Sequence, residues 1–132
     1  MSGGETIASA WSAMLRDTLR HAPGVAGRVA FGDASGRAGV PVLTLSAVEA
    51  KPWHAAERPG RELRATLTLA DRGAAGRLEA IAAAVEAAVF GAPRTGAGWE
   101  SAGTRVVASR IGQRKDGARE ARIELLARAW SV

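Results

Sequence analysis

The residue types that most often perform catalysis are scarce in this chain of 132 residues. It has no cysteine and two histidines, His21 and His54. The absence of cysteine excludes disulfides, thiolate metal sites and a cysteine nucleophile. Two histidines are too few for a His-rich zinc site or an HExxH arrangement. We therefore expect no bound metal and no cofactor.

The remaining catalytic patterns fail on their spacing. The glycine-rich stretches 32–39 and 91–98 contain neither GxGxxG nor the Lys-Ser/Thr end of a phosphate-binding loop. Ser35 lies in GDASG, which is not the GxSxG of a nucleophile elbow. A triad of Ser35, His54 and Asp33 has no supporting pattern. The glycines are predicted to form turns, and the chain is predicted not to be an enzyme.

The chain is basic, with 18 Lys and Arg against 13 Asp and Glu and a net charge of +5. Lys51 and Lys115 are the two lysines; the other basic residues are arginines, spread along the chain without a run of five. Abundant Arg, Ala and Gly together are typical of GC-rich coding. The pattern favours a solvated basic surface, with a functional basic face that binds nucleic acid as the alternative.

The N-terminal sequence indicates the compartment. The first basic residue is Arg16, so no charged region precedes an apolar stretch, and no signal peptide is recognised. No apolar run approaches the roughly 18 residues that span a bilayer. We expect a cytosolic protein without membrane contact, folded as one domain over residues 1–132 with residues 1–5 flexible.

Apolar periodicity predicts the secondary structure. Helices are expected at 6–20 and 74–90, and strands at 28–31, 40–49, 62–69, 105–113 and 119–130, with loops at 32–39, 51–60 and 94–98. Alternation predicts that strand 62–69 buries Leu63, Ala65, Leu67 and Leu69, and that strand 119–130 buries Ala121, Ile123, Leu125 and Ala127. The apolar stripe of the second helix is predicted to be buried as well, and it consists of Leu78, Ile81, Ala82, Val85 and Val89. Asp116-Gly117 predicts a hairpin turn. The predicted fold class is α+β, a two-layer sandwich with two helices on one face of a mostly antiparallel sheet, in the order α-β-β-β-α-β-β.

Four tryptophans dominate an otherwise aromatic-poor chain. Trp11 fits the apolar stripe of the first helix, and Trp130 is expected to pack in the core. Trp99 falls at a loop or at the start of a strand. Trp53 lies in a predicted loop, where an exposed tryptophan is typical of a protein interface.

The order of these elements resembles the tail terminator (tail completion, head-tail joining) proteins of long-tailed phages, prophages and gene transfer agents. The resemblance covers roughly residues 7–129. It rests on the segments IASAWSAMLRDTL, HAPGVAGRVAF, PVLTLSAV, GRELRATLTLAD, GRLEAIAAAVEAAV and RVVASRIGQRKDGAREARIELLARA.

The resemblance implies a structural virion-assembly protein. Such proteins form a ring, generally a hexamer, that caps the tail tube, stops its polymerisation and joins it to the head connector, without a cofactor. The implied partners are copies of itself, the major tail tube protein, the head connector or stopper protein, and DNA passing through the lumen. Its implied location is the bacterial cytoplasm during assembly, and then the neck, at the top of the tail, of a virion or gene transfer agent particle.

The residues expected to contact neighbouring subunits or the tube lie in three predicted loops: Arg37, Lys51, Trp53, His54, Arg58, Arg114, Lys115 and Asp116. Two alternatives stay open: a head-side adaptor or stopper protein of the neck, and a small basic nucleic-acid-binding protein.

Overall fold

The computed structural model describes residues 3–32, 40–55, 58–73 and 76–132. The two helices are α1 (Gly3–His21) and α2 (Arg77–Phe90). The strands are β1 (Ala30–Phe31), β2 (Val42–Leu45), β3 (Glu49–Ala55), β4 (Arg58–Asp71), β5 (Thr95–Gly96), β6 (Trp99–Gln113) and β7 (Arg119–Ser131).

The strands described form one sheet in the order β1-β2-β4-β7-β6-β5, with β3 pairing with the first half of β4. Every pair is antiparallel except β1 with β2. β4, β6 and β7 are the long strands, and β7 lies between the other two. Two irregularities of register interrupt β6, one between Ser101 and Thr104 and one between Val106 and Ala108, and such bulges bend a strand.

One face of the sheet, the inner face, carries the core. The alternating residues predicted for β4 and β7 are all buried on it, as the twofold period of a strand requires. The apolar stripes of α1 and α2 pack on the same face, and the five predicted residues of α2 are all buried. These predictions are confirmed. The opposite, outer face of β4 carries polar residues such as Glu62, Arg64, Thr66 and Thr68.

Trp11 joins α1 to the far side of the sheet. Its side chain is fully buried, as predicted, and its indole Nε1–H donates a hydrogen bond of 2.9 Å to the Thr104 hydroxyl on β6. A buried indole N–H needs such a partner, because leaving it unsatisfied is costly. This bond therefore fixes α1 over the sheet.

Asp71, at the end of β4, anchors the connection to α2. Its buried carboxylate accepts two hydrogen bonds from the guanidinium of Arg77, one of them 2.9 Å from Nε, and one of 2.8 Å from the Gly73 amide. The hydrogen bond from Arg77 holds the pKa of Asp71 below its ordinary value, although burial opposes the shift. Bidentate pairing with a buried carboxylate fixes the position of α2.

The α+β class is confirmed, but the simple sandwich in the order α-β-β-β-α-β-β is wrong in detail. The described residues contain seven strands, two more than predicted: residues 51–55 and 58–60 of the predicted loop lie in β3 and β4, and Thr95–Gly96 forms β5. Pro52 and Pro59 suggested a loop. The sheet tolerates both, since β3 has no second neighbour and β4 begins pairing with β7 only at Gly60, and proline is allowed where no ladder hydrogen bond is needed.

Other helix and strand boundaries also differ from the predicted ones. The predicted strand 40–49 is split into β2 and the start of β3. Ser46 lies between them: its amide donates a hydrogen bond to the Thr66 carbonyl of β4, and its hydroxyl accepts one from the Thr66 amide. The strand predicted at 28–31 is reduced to two residues, and the loop 94–98 contains the short β5. The helix predicted from residue 74 is described from Arg77. Residues 33–39 of the predicted loop 32–39 lie outside the described residues.

Candidate interaction surfaces

A pair of tryptophans marks one end of the long strands. Trp53 on β3, Gly60 on β4 and Trp130 on β7 lie directly opposite one another. The indole centroids of Trp53 and Trp130 are 6.4 Å apart, within the range of favourable aromatic pairs. A Cβ on residue 60 would lie 2.5 Å from the carbonyl oxygen of Ala129 and 3.1 Å from the Trp53 ring. Glycine at this position therefore lets the two rings meet on the outer face.

Trp130 does not lie in the core, and that prediction is wrong. Ala129 is buried on the inner face, so strand alternation places Trp130 on the outer face, where it is half-buried. The even-numbered positions of β7 carry the signal that could have located it. Here this end of the molecule is named the tryptophan end.

Arg128 covers the exposed side of this pair. Its guanidinium carbon lies 5.4 Å from the centroid of the Trp53 ring, a cation–π contact. Its Nε and Nη2 are each 3.4 Å from Glu62 Oε1. The sequence analysis named neither Arg128 nor Glu62 as interaction residues, because only their place in the sheet register brings them to Trp53.

Three of the candidate interface residues lie close to the tryptophans. Arg58 Nη1 is 3.9 Å from a carboxylate oxygen of Glu100, and the same oxygen accepts a 3.2 Å hydrogen bond from Trp130 Nε1. Lys51 and His54 on β3 are exposed. Neither has an ion pair with any residue that the structure describes. The tryptophan end thus combines an aromatic surface with exposed polar side chains, of which Lys51 and His54 have no ionic partner among the described residues.

The β6–β7 turn forms the opposite end. The Ala118 amide donates to Asp116 Oδ1 at 3.1 Å, and the Arg114 amide donates to the Ala118 carbonyl at 2.7 Å. Gly117 has φ +90°, which glycine adopts readily. The bond from Ala118, then the charges of Arg114 and Arg72, lower the pKa of Asp116. The predicted Asp-Gly turn is confirmed, and Asp116 serves to stabilise it.

The turn presents a cationic tip, named here the turn end. Arg114 lies 3.5 Å from Asp116 and 3.7 Å from Glu120. Lys115 is exposed and forms no ion pair within the described part of the chain. Arg37, the remaining candidate, lies outside the described residues.

The two ends are far apart. β4 and β7 pair continuously from Gly60 with Trp130 to Asp71 with Arg119. At about 3.3 Å per residue, those eleven steps separate the ends by roughly 36 Å. The sheet therefore brings Lys51, Trp53, His54 and Arg58 together at one end, and Arg114, Lys115 and Asp116 at the other.

Between the ends, the outer face carries an unpaired basic row. Arg110 on β6 and Arg122 on β7 are directly opposite each other, an arrangement of like charges that destabilises a sheet. Both are exposed, and neither forms an ion pair with a described residue. The sheet thus brings together two arginines that are distant in the sequence, with Glu124 beside them.

In the ranges described, no group of three or more acidic or His side chains is arranged to hold a metal ion. No described helix is long and apolar enough to cross a membrane.

The chain resembles a known structure in its fold and a known family in its sequence. The chain superimposes on a protein chain in the virion of a native gene transfer agent particle with a TM-score of 0.74, 19% identity, and coverage of 90% of this chain and 93% of that one. No curated protein matches the chain. The family model described as Tail completion protein gp17 matches residues 5–130. The chain belongs to this family of structural tail-assembly proteins, and the resemblance stated from the order of its elements is confirmed.

Proposed function

We propose that this protein is a tail terminator. Copies of it form a ring, taken as a hexamer, that caps the completed tail tube, stops further polymerisation and provides the surface for the head connector. The role needs no catalysis and no cofactor. The observation that carries the proposal is the family match over residues 5–130. The likeness to a chain of a gene transfer agent virion supports a place within an assembled particle.

The shape of the subunit suits a protein with two different partners. The tryptophan end and the turn end lie roughly 36 Å apart along paired strands and differ in chemistry. One offers half-buried indole rings with Lys51, His54 and Arg58; the other offers a turn with exposed Arg114 and Lys115. Aromatic residues and Arg are enriched in the parts of interfaces that dominate binding energy. We assign one end to the tube and the other to the connector.

The direct test uses the purified protein with the major tail tube protein. Light scattering and negative-stain images should show rings of about six subunits, and added rings should stop tube growth in an elongation assay. A chain that stays monomeric with tube protein present, and leaves tube length unchanged, would overturn the proposal.

The two ends serve as matched controls for each other. Lys51→Glu with His54→Glu changes only the tryptophan end, and Lys115→Glu changes only the turn end. All three side chains are exposed, so the variants should keep the wild-type melting temperature. Each variant should lose binding to one partner and retain the other. Binding to the connector but never to the tube would instead favour the head-side adaptor or stopper.

The Arg110–Arg122 row favours a second candidate function, contact with nucleic acid. In a ring, these two arginines, which form no ion pair with a described residue although Glu124 lies beside them, could line the path of DNA and neutralise phosphates without reading sequence. Duplex binding should then weaken with salt, and Arg110→Gln with Arg122→Gln should reduce the slope of log affinity against log salt by about 2. An unchanged slope would remove this role.

A further inference from the structure

Helix α2 presents an apolar stripe to solvent. Ala80, Ala83, Ala87 and Phe90 recur at helical spacing on its exposed side, while its opposite side packs on the sheet. A helix that is apolar around its circumference is normally buried on all sides. Phe90 is the most pronounced case: it is 82% exposed, more than any other large apolar side chain described.

The neighbouring edge of the sheet is also open and partly apolar. Residues 105–113 of β6 pair with β7 alone, since the described β5 reaches only Trp99 and Glu100. Val107 and Ile111 on this stretch are 43% and 40% exposed. Glu86 of α2 lies beside it, 3.4 Å from the Ser109 hydroxyl, and Phe90 follows Glu86 by one helical turn on the same flank. Phe90 and this β6 edge form one surface, named here the knob edge.

The opposite edge of the sheet contains a groove with a mixed lining of apolar side chains and arginines. It lies between α1 and strands β1 and β2, has a volume of about 280 Å³, and is lined by Leu19, Phe31, Leu43, Leu45 and Leu67, with Thr44 at its side. Because β2 and β6 lie on opposite sides of the sheet, this groove and the knob edge face in opposite lateral directions.

Glu86, one helical turn before Phe90, is opposite in charge to the arginines of the groove, while Arg105 and Arg110 of the β6 edge lie on the outer face. Arg16 and Arg20 line the groove and have no ion pair with any described residue, although Arg20 lies over the Phe31 ring. Glu86 at the knob edge bonds only to a neutral hydroxyl among the described side chains. A contact that brings Glu86 to Arg16 and Arg20 would therefore pair opposite charges.

We propose that the groove receives Phe90 of a second copy of this chain, with Glu86 of that copy facing Arg16 and Arg20. The contact is heterologous, since one edge meets the opposite edge of its neighbour. Repetition of such a contact closes into a ring when the rotation allows. It leaves the tryptophan and turn ends, which lie perpendicular to it along the strands, free for other partners. This inference rests on the proposed function and specifies its subunit interface.

A cysteine cross-link tests the contact directly, because the chain has no cysteine of its own. In the full chain, Phe90→Cys combined with Leu45→Cys, which replaces a half-buried side chain of the groove, should form a ladder of covalent oligomers on oxidation. Each single variant alone should stay monomeric on a non-reducing gel. Efficient dimers from Phe90→Cys alone would mean that the knob edges face each other, and would overturn the head-to-tail contact.

Substitution provides a second readout. Phe90→Ser should raise the apparent dissociation constant by roughly 10- to 100-fold per interface, as expected for one aromatic side chain no longer buried. Val132→Ser is the matched control: Val132 is 67% exposed and belongs to neither edge, so it should assemble like the wild type. Glu86→Arg should weaken assembly, and adding Arg16→Glu with Arg20→Glu should restore it.

The outcomes separate the two proposals. If the wild type forms rings while Phe90→Ser assembles normally and the double cysteine variant gives no ladder, the interface lies elsewhere and the terminator role stands. If the wild type forms no oligomer with or without tube protein, both proposals fail.

Discussion

The hydrogen bond between Trp11 and Thr104 provides a sharp test of how α1 is held. Thr104→Val keeps the shape of the side chain and removes the acceptor, so the fully buried indole N–H loses its 2.9 Å partner. An unsatisfied buried donor costs about 1–3 kcal/mol. With an unfolding entropy of about 2.1 cal/mol/K per residue, a chain of this length should lose about 4–11 °C in melting temperature.

The assay is urea and thermal unfolding followed by circular dichroism, at a concentration where the variants are monomeric. Thr68→Val is the matched control: Thr68 lies half-buried on the outer face and forms no side-chain hydrogen bond with described residues, so its loss should stay below about 0.5 kcal/mol. In a Trp11→Phe background the indole N–H is gone, and Thr104→Val should then cost less than about 1 kcal/mol. An equal loss in both backgrounds would refute the reasoning.

Three further predictions concern the strand ends. Asp71→Asn, which breaks the ion pair with Arg77, should lower the free energy of unfolding in urea by about 1.5–3 kcal/mol, as for the loss of hydrogen bonds to a charged group. A decrease below about 0.5 kcal/mol would contradict the role of Asp71 in anchoring the connection to α2. Because the pKa of Asp71 is lowered on folding, its stabilisation is complete above its ordinary value of 3.8 and disappears as the pH falls through the lower folded pKa. The wild type should therefore lose stability more steeply than Asp71→Asn below pH 4, and parallel curves would argue against it. Gly60→Ala should lower the free energy of unfolding by about 1–3 kcal/mol, because the added methyl group overpacks against Trp53, and it should change the near-ultraviolet circular dichroism. Gly112→Ala is its control, because a Cβ at that position meets nothing within 4 Å.

The apolar periods of this sequence predicted the core closely. Each residue predicted to face inward on β4, β7 and α2 is buried, because a strand or helix that covers a sheet must show its period in the sequence. The Asp116-Gly117 turn was also predictable from neighbouring residues, because the backbone angle φ of +90° at Gly117 favours glycine. Such features depend on neighbours along the chain.

What the sequence did not predict depends on partners far along the chain. The hairpin of β3 and β4 was hidden by Pro52 and Pro59, whose tolerance follows only from which strands flank them. The position of Trp130 beside Trp53 follows from a register that pairs residue 60 with residue 130. The predicted interface residues remain a prediction, now divided between two ends, with Arg37 outside the described structure.

The position of β7 has a consequence for how the protein is made. β7 is the last strand along the chain, yet it lies between β4 and β6. Arg119 is 48 positions after its partner Asp71, so at 5–20 residues per second β4 waits about 2–10 s for its central neighbour during translation. Throughout that interval the nascent chain exposes an unpaired strand edge of the kind that promotes aggregation. A chain interrupted before residue 119 lacks the middle of its sheet. It should be degraded as an unfolded polypeptide rather than compete with complete subunits for a partner.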